Sequence, residues 1–242
     1  IGEIAALEPT FSIGGPSSIV VRGFDLRQRL NTVRRTRSFV DKKDSDIAEQ
    51  IGVEAGVEIK APDSRVKHAY VLQADQTDLE FLRERASRIR HELVAVGKSL
   101  QFRPMADAST STVTLTLRDD LFEFRPRMSF VPLTSVKVLG WDPKEKQTIA
   151  AAAPRSGAGD RVETLVRTPV ASQEEADQIA EASFADAGFE FIRGEGRVRG
   201  RTDVRAGTVV RFDDLGTRFS GGYYLTSVVH RYSRRDGYLT DF

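Results

Sequence analysis

The side chains that most often carry chemistry are sparse in this sequence. Histidine occurs three times, at His68, His91 and His230, with no i, i+4 pair. Cysteine is absent. That excludes disulfides and thiolate nucleophiles, and it leaves the scattered histidines without the partners of a zinc set. Gly97-Lys98-Ser99 has the ending of a phosphate loop, but Glu92 stands five positions before Gly97 where such a loop needs glycine. The segment therefore reads as a hairpin turn. Gly194-Glu195-Gly196-Arg197-Val198-Arg199-Gly200 has one residue too many for a dinucleotide fingerprint, and no helix is expected after it. No Gly-x-Ser-x-Gly elbow occurs. Carboxylate pairs for acid–base work stay open, because any two of the 35 acidic residues can meet in space. These patterns assign no catalytic, cofactor-binding or metal-ligating residue.

At about 150 residues per domain, 242 residues give one large domain or two modest ones. Hydrophobic residues at 40% and charged residues at 29% are ordinary globular usage, which argues against disorder and for a substantial core. No apolar run approaches the roughly 20 residues that span a bilayer, so no membrane insertion is expected. Ile1-Gly2-Glu3-Ile4 does not have the basic-then-apolar order of a signal peptide. A start without Met and an end at Thr240-Asp241-Phe242, directly after a strand-like pattern, lead to the expectation of a piece of a longer protein.

The formal net charge of +1 argues against a wholesale nucleic-acid binder. It conceals local imbalance. Residues 22–43 carry eight bases against Asp25 and Asp41, net +6; residues 171–190 carry six acids and no base; residues 193–211 return to +4. Such segments are either solvated faces or complementary patches that steer copies of the chain together. The arginines are not interleaved with aromatics as a nucleic-acid stacking platform requires.

Strand patterns dominate both ends of the chain. Ser17–Phe24 is the clearest, followed by a helical turn from Asp25 to Leu30 and an extended Thr36–Val40. Residues 44–104 have an α+β texture. Asp46 with Glu49 opens a helix whose Ile47, Ile51 and Ala55 recur every four residues, and Gly56 closes it. Thr77 with Glu80 forms a capping box for a second helix with Leu79, Leu82, Ala86 and Ile89 on one face. A hairpin follows, pairing His91–Val96 with Leu100–Arg103. Val113, Leu115 and Leu117 alternate as in a half-buried strand. Strands continue over 121–141, broken by Pro126 and Pro132, and 151–160 reads as a mobile low-complexity loop. Ser172 with Glu175 caps a third helix, with Ala176, Ile179, Ala180, Phe184 and Ala187 on one face and Gly188 at its end. Residues 189–242 read as strand and turn throughout, with Arg197, Arg199 and Arg201 on one strand face.

An internal repeat links the two β regions. Residues 17–25 (Ser-Ser-Ile-Val-Val-Arg-Gly-Phe-Asp) and 134–142 (Thr-Ser-Val-Lys-Val-Leu-Gly-Trp-Asp) share Ser18/Ser135, Val21/Val138, Gly23/Gly140 and Asp25/Asp142. Three further positions are conservative. Either the match is ordinary strand-to-turn chemistry, or two similar β domains stand in tandem, each interrupted or followed by helical segments.

Ser45-Asp46-Ile47-Ala48-Glu49-Gln50-Ile51 and Gln76-Thr77-Asp78-Leu79-Glu80-Phe81-Leu82-Arg83-Glu84-Arg85-Ala86 resemble the hub proteins of contractile tails. These comprise the phage late control D family, the base of valine-glycine-repeat G spikes of type VI secretion, and hubs of contractile injection systems. Val21-Arg22-Gly23-Phe24-Asp25-Leu26, Gly221-Gly222-Tyr223-Tyr224, His230 and Gly237-Tyr238-Leu239-Thr240 are similar to that family too. The signature positions are Gly23, Asp25, Ser45, Asp46, Thr77, Asp78, Phe81, Leu82, Arg85, Gly140, Asp142, Gly222, Tyr223, His230, Gly237 and Tyr238.

The resemblance implies a mainly β fold with α+β insertions: two tandem related β-barrels, the first truncated, plus a small peripheral domain. Residues 1–43 would end the first barrel, 44–110 form an α+β insert, 111–150 start the second barrel, 151–187 insert a loop and helix, and 188–242 complete the barrel. It implies a homotrimer whose six barrels adapt a sixfold tail tube to a threefold spike. Its partners would be itself, the tail tube protein, the spike protein and baseplate proteins, with no specific nucleic acid and no cofactor. It would be placed in the bacterial cytoplasm during assembly and then in a tail or tail-like particle, with Arg197, Arg199 and Arg201 at an interface or the lumen. Two other readings compete: a tail-associated cell-wall hydrolase working through two carboxylates, and a nucleic-acid-binding module using the +6 segment.

Overall fold

The computed structural model describes residues 2–107, 110–111, 113–128, 135–142, 145–154, 162–165, 170–189 and 192–242. It divides into two compact units, Ile1–Arg103 and Pro104–Phe242.

The first unit begins with β1 (Glu3–Thr10) and β2 (Ser18–Phe24), an antiparallel two-stranded ribbon with Leu7 opposite Val21 and Pro9 opposite Ile19. A 3-10 turn (Leu26–Asn31) follows, with Asp25 as its cap: Oδ1 accepts the Arg27 N–H at 2.9 Å. Then come β3 (Arg34–Lys43), α1 (Asp44–Glu54), β4 (Ile59–Lys60), β5 (Lys67–Thr77), α2 (Asp78–Arg88), β6 (His91–Val96) and β7 (Ser99–Pro104). β3 pairs antiparallel with β5, and β4, β7 and β6 form a second small sheet. Both helices press apolar stripes into one core. Ile47, Ala48 and Ile51 of α1 meet Leu79, Phe81, Leu82 and Ala86 of α2, with Leu30, Phe39, Leu100 and Phe102 beneath them. The Phe39 and Phe81 rings stack at 5.7 Å.

The capping signals place these helices well. Thr77 Oγ1 accepts the Glu80 N–H at 3.2 Å, and Glu80 Oε2 accepts the Thr77 N–H at 2.9 Å. α1, however, starts two residues earlier than Asp46 indicates. Asp46 is its third residue, and its Oδ2 reaches back to the Lys43 N–H at 3.1 Å. The same side chain looks like an opening cap in sequence and serves as the returning partner in the fold. Gly56 and Gly97 sit at φ +65° and +62°, the left-handed turns that end α1 and join β6 to β7.

The second unit contains β8 (Val113–Thr116), β9 (Leu121–Met128), β10 (Ser135–Asp142), β11 (Gln147–Pro154), β12 (Val162–Leu165), α3 (Gln173–Phe189), β13 (Ile192–Arg199), β14 (Val209–Asp213), α4 (Gly216–Phe219), β15 (Gly221–Tyr224), β16 (Val229–Ser233) and β17 (Gly237–Asp241). One sheet runs β16-β17-β13-β9 and another β15-β14-β8. Between them lies a core of Leu115, Leu121, Val198, Val210 and Phe212, with the Phe124, Phe212, Tyr223 and Phe242 rings in mutual contact. A third sheet, β11-β10-β12, packs under α3. The fold is mainly β, as the strand patterning indicates.

Five local expectations change. Ala151 and Ala153 are buried strand residues of β11 rather than loop, while residues 155–160 of that loop lie outside the described residues, as do Thr134 and Pro132. Pro126 does not break its strand but pairs with Gly194 inside β9, an edge strand where a missing N–H is tolerated. α3 runs through Gly188 to Phe189, and α4 adds one helical turn to the supposedly all-strand end. Leu117 falls past the end of β8 and is exposed.

Candidate assembly surfaces

The signature residues are distributed over both units. Asp44 is nearly inaccessible at the start of α1. Arg85 of α2 donates to it from Nε at 2.6 Å and from Nη2 at 3.1 Å, and His68 Nε2 lies 3.2 Å from its Oδ2. Burial pushes the Asp44 carboxyl up, but hydrogen bonds from His68 and Arg85 and the Arg85 charge more than offset this, holding it below the usual carboxylate range. Asp78 is also buried and accepts from Arg37 Nη2 at 2.7 Å and Gln73 Nε2 at 2.9 Å. Ser45 donates its N–H to Ser64 Oγ at 3.1 Å. Phe81 and Leu82 are core residues.

In the second unit, Asp142 Oδ1 accepts the Glu145 N–H at 3.1 Å. Gly222 lies in β15 beside Tyr223, whose hydroxyl donates to the Phe219 carbonyl at 2.8 Å. Gly237 turns the chain at φ +70°, and His230 Nδ1 stands 3.1 Å from Thr240 Oγ1 and 3.0 Å from the Tyr238 hydroxyl. Gly23 of β2 and Gly140 of β10 each sit where a Cβ would collide, with the Glu3 carbonyl oxygen and Val170 respectively. None of these arrangements presents an open reactive group.

The +6 segment is neutralised within its own unit. Arg22 pairs with Glu8 at 2.6 Å, Arg27 with Asp25 at 2.6 Å and Lys43 with Asp63 at 2.9 Å. Arg29 pairs with Glu3, Arg34 with Asp75 and Glu80, Arg35 with Asp78, and Arg37 with Glu54 and Asp78. Lys42 donates to Gln50 at 2.5 Å. The patch read from local sequence is thus an interleaved lattice of opposite charges, because most of the acids come from elsewhere in the same unit. The arginine row also divides. Arg197 and Arg199 lie in β13 on the face opposite buried Val198, with Arg197 bonded to Asp241 at 2.5 Å. Arg201 is past the strand end and pairs with Asp203 at 2.7 Å and Asp120 at 3.3 Å.

What remains uncovered is apolar. On one face of the β1–β2 ribbon stand Leu7, Ile19 and Val21, each more than half exposed; the other face carries the Glu8–Arg22 pair together with exposed Val20 and Phe24. On the outer face of β3–β5, cross-strand neighbours Val40 and Tyr70 and nearby Leu72 are half or more exposed. A two-stranded ribbon is at best marginal alone in water, and contiguous exposed apolar groups mark interaction sites. The sequence shows Ile19-Val20-Val21 as a strand, but a bare apolar run reads the same as a buried one. Asp44 and His68 went unseen for a different reason: they meet Arg85 across separations of 41 and 17 residues, which no motif spans.

No group of three or more His, Asp or Glu side chains with metal-holding geometry occurs among the described residues. No helix among them is long and apolar enough to cross a membrane. A depression is lined by Leu117, Arg118, Asp214, Gly216, Thr217 and Ser220.

The profile of the family described as the Alg8 N-terminal domain matches residues 11–234, and the chain belongs to that family. No curated protein matches the sequence. Solved structures share its fold along nearly the whole chain. A 43 kDa tail protein of prophage MuSo2 from Shewanella oneidensis is 17% identical with a TM-score of 0.74, over 98% of this chain and 76% of that one. A tail protein from Neisseria meningitidis MC58 is 16% identical with a TM-score of 0.74, over 99% and 78%. An E. coli component of the type VI secretion system, described as structurally similar to T4 bacteriophage tail proteins, is 15% identical with a TM-score of 0.64, over 100% of this chain and 58% of that one. The fold is that of phage tail and type VI secretion proteins.

Proposed function

We propose that this chain is the structural, non-enzymatic hub of a contractile phage tail or tail-like injection machine. In this reading three copies form a pseudo-sixfold ring that adapts a sixfold tail tube to a threefold spike. The observation that carries it is the fold likeness to tail proteins at a TM-score of 0.74 over 98% of the chain. The bare apolar faces of the first unit agree with it, since an assembly protein keeps surface for its neighbours. Residues 18–24 and 135–142 would be corresponding strands of two related barrels, with 44–110 as an insert between them. Three chains then supply six near-equivalent units. Its partners would be its own copies, the tail tube, the spike and baseplate proteins. It would assemble in the bacterial cytoplasm and end in the tail particle. Native mass measurement over a concentration series tests the reading: a three-chain species is expected, and a chain that stays monomeric at high concentration sinks it.

A further inference from the structure

His91 opens β6 directly after α2, and its two ring nitrogens meet opposite conditions. Nδ1 lies 2.9 Å from the Ile89 carbonyl oxygen. A carbonyl only accepts, so Nδ1 carries the proton and donates. Nε2 is shut off from solvent and meets no hydrogen-bond partner among the described residues. The neutral ring therefore leaves a bare lone pair at Nε2, whereas a protonated ring would leave a buried N–H and its charge unmet. The ring packs against fully buried Phe102, with centroids 5.4 Å apart. Its bond to Ile89 also spans Arg90, which stands at φ +54°, in the left-handed region that residues other than glycine seldom occupy. His91 thus closes a turn whose backbone is strained.

The charges around the ring offer a second proton no acceptor. Asp44, at the start of α1, is near enough to favour a charged ring, but its oxygens are taken up by Arg85 and His68. Glu92, next along β6, accepts from Arg103 of β7 at 2.9 Å. Arg65, in the segment before β5, opposes a positive ring, and the partly buried Arg88 and Arg90 bring further positive charge to the end of α2. Arg27 and Arg29 of the 3-10 turn are held by Asp25 and Glu3. Burial is the largest influence on the His91 imidazole and pushes it below the ordinary histidine range; the Ile89 carbonyl and Asp44 pull the other way, and Arg65 adds to the lowering. An opened turn therefore binds a proton more readily than the closed one. The closed turn is fully favoured above the ordinary histidine range and loses ground as pH falls through that range toward the folded value.

We infer that His91 is an acid-released latch on the α2–β6 turn. Neutral, it ties Ile89 across Arg90 and packs on Phe102; protonated, it turns toward water to hydrate Nε2 and breaks that tie. The latch belongs to the first unit alone and is independent of the ring reading. Amide hydrogen exchange, corrected for the intrinsic effect of pH, tests it at about pH 8 and about pH 5, on either side of ordinary histidine titration. Asp44, held below the usual carboxylate range, stays ionised across this interval. In the unaltered chain the amides of Arg90, His91 and Glu92 are expected to lose protection at the acid end, while those of α1 keep theirs. His91→Phe retains a ring against Phe102 and takes no proton, so its turn is expected to be equally protected at both pH values. An acid loss of the same size in both chains assigns the effect to another group and overturns the latch, as does full protection of the unaltered chain at the acid end. Where a circular dichroism melt shows His91→Phe to be unfolded, NMR titration of the His91 ring in the unaltered chain decides. A midpoint below the ordinary histidine range upholds the latch, and one within or above that range overturns it.

Discussion

Asp44, His68 and Arg85 illustrate how this protein uses its few titratable core groups. A buried carboxylate bound by a guanidinium contributes little net stability over an apolar replacement, yet losing one partner strands the other. Asp44→Asn is expected to cost about 3–5 kcal/mol near neutral pH, read from denaturant unfolding. The pH dependence has a definite sign. The folded Asp44 carboxyl is held below its ordinary range, so the unfolded chain binds the proton more readily. The pair's contribution is complete above that range and is lost as pH falls through it toward the folded-state value. The stability gap between the unaltered chain and Asp44→Asn should therefore narrow from about pH 7 to about pH 3; a gap that widens toward acid contradicts this. Gly196 carries a steric demand instead. A Cβ there would lie 2.6 Å from the Glu123 carbonyl oxygen and closer still to the Phe242 ring. Gly196→Ala should lower stability by about 1–3 kcal/mol, seen as a lower melting temperature, and an unchanged melt would remove the constraint. Neither site is legible as a site in sequence, because each is made by residues far apart in the chain.

At the scale of elements, what could be read is what is local. The Thr77/Glu80 and Ser172/Glu175 spacings mark helix starts because capping is settled within one turn, and Ser172 Oγ accepts the Glu175 N–H at 3.2 Å. Thr77→Ala is expected to cost about 1 kcal/mol, with Thr77→Ser near neutral, by thermal or denaturant unfolding; equal losses in both would point away from the cap. What escaped is set by pairing. Ala151 and Ala153 have little intrinsic strand preference and become strand because β10 lies beside them and α3 lies over the sheet. Pro126 is tolerated because β9 is an edge. The ribbon face is a related case. Its residues announce a strand, but whether that strand is buried depends on what stands opposite, and among the described residues nothing covers it.

For the whole molecule the net charge is +1, and in the first unit bases and acids interleave rather than separate into patches. That leaves apolar faces, rather than a basic patch, as the surfaces available for partners. Class and function are legible to different depths: the mainly β character follows from strand patterning, whereas ring formation is a property of several chains. The most direct measurement of the central claim is the mass of this protein in solution, by light scattering or native mass spectrometry across a concentration series. The ring account predicts a species of three 26.9 kDa chains, populated increasingly as concentration rises. A single-chain mass that persists at the highest concentration contradicts it.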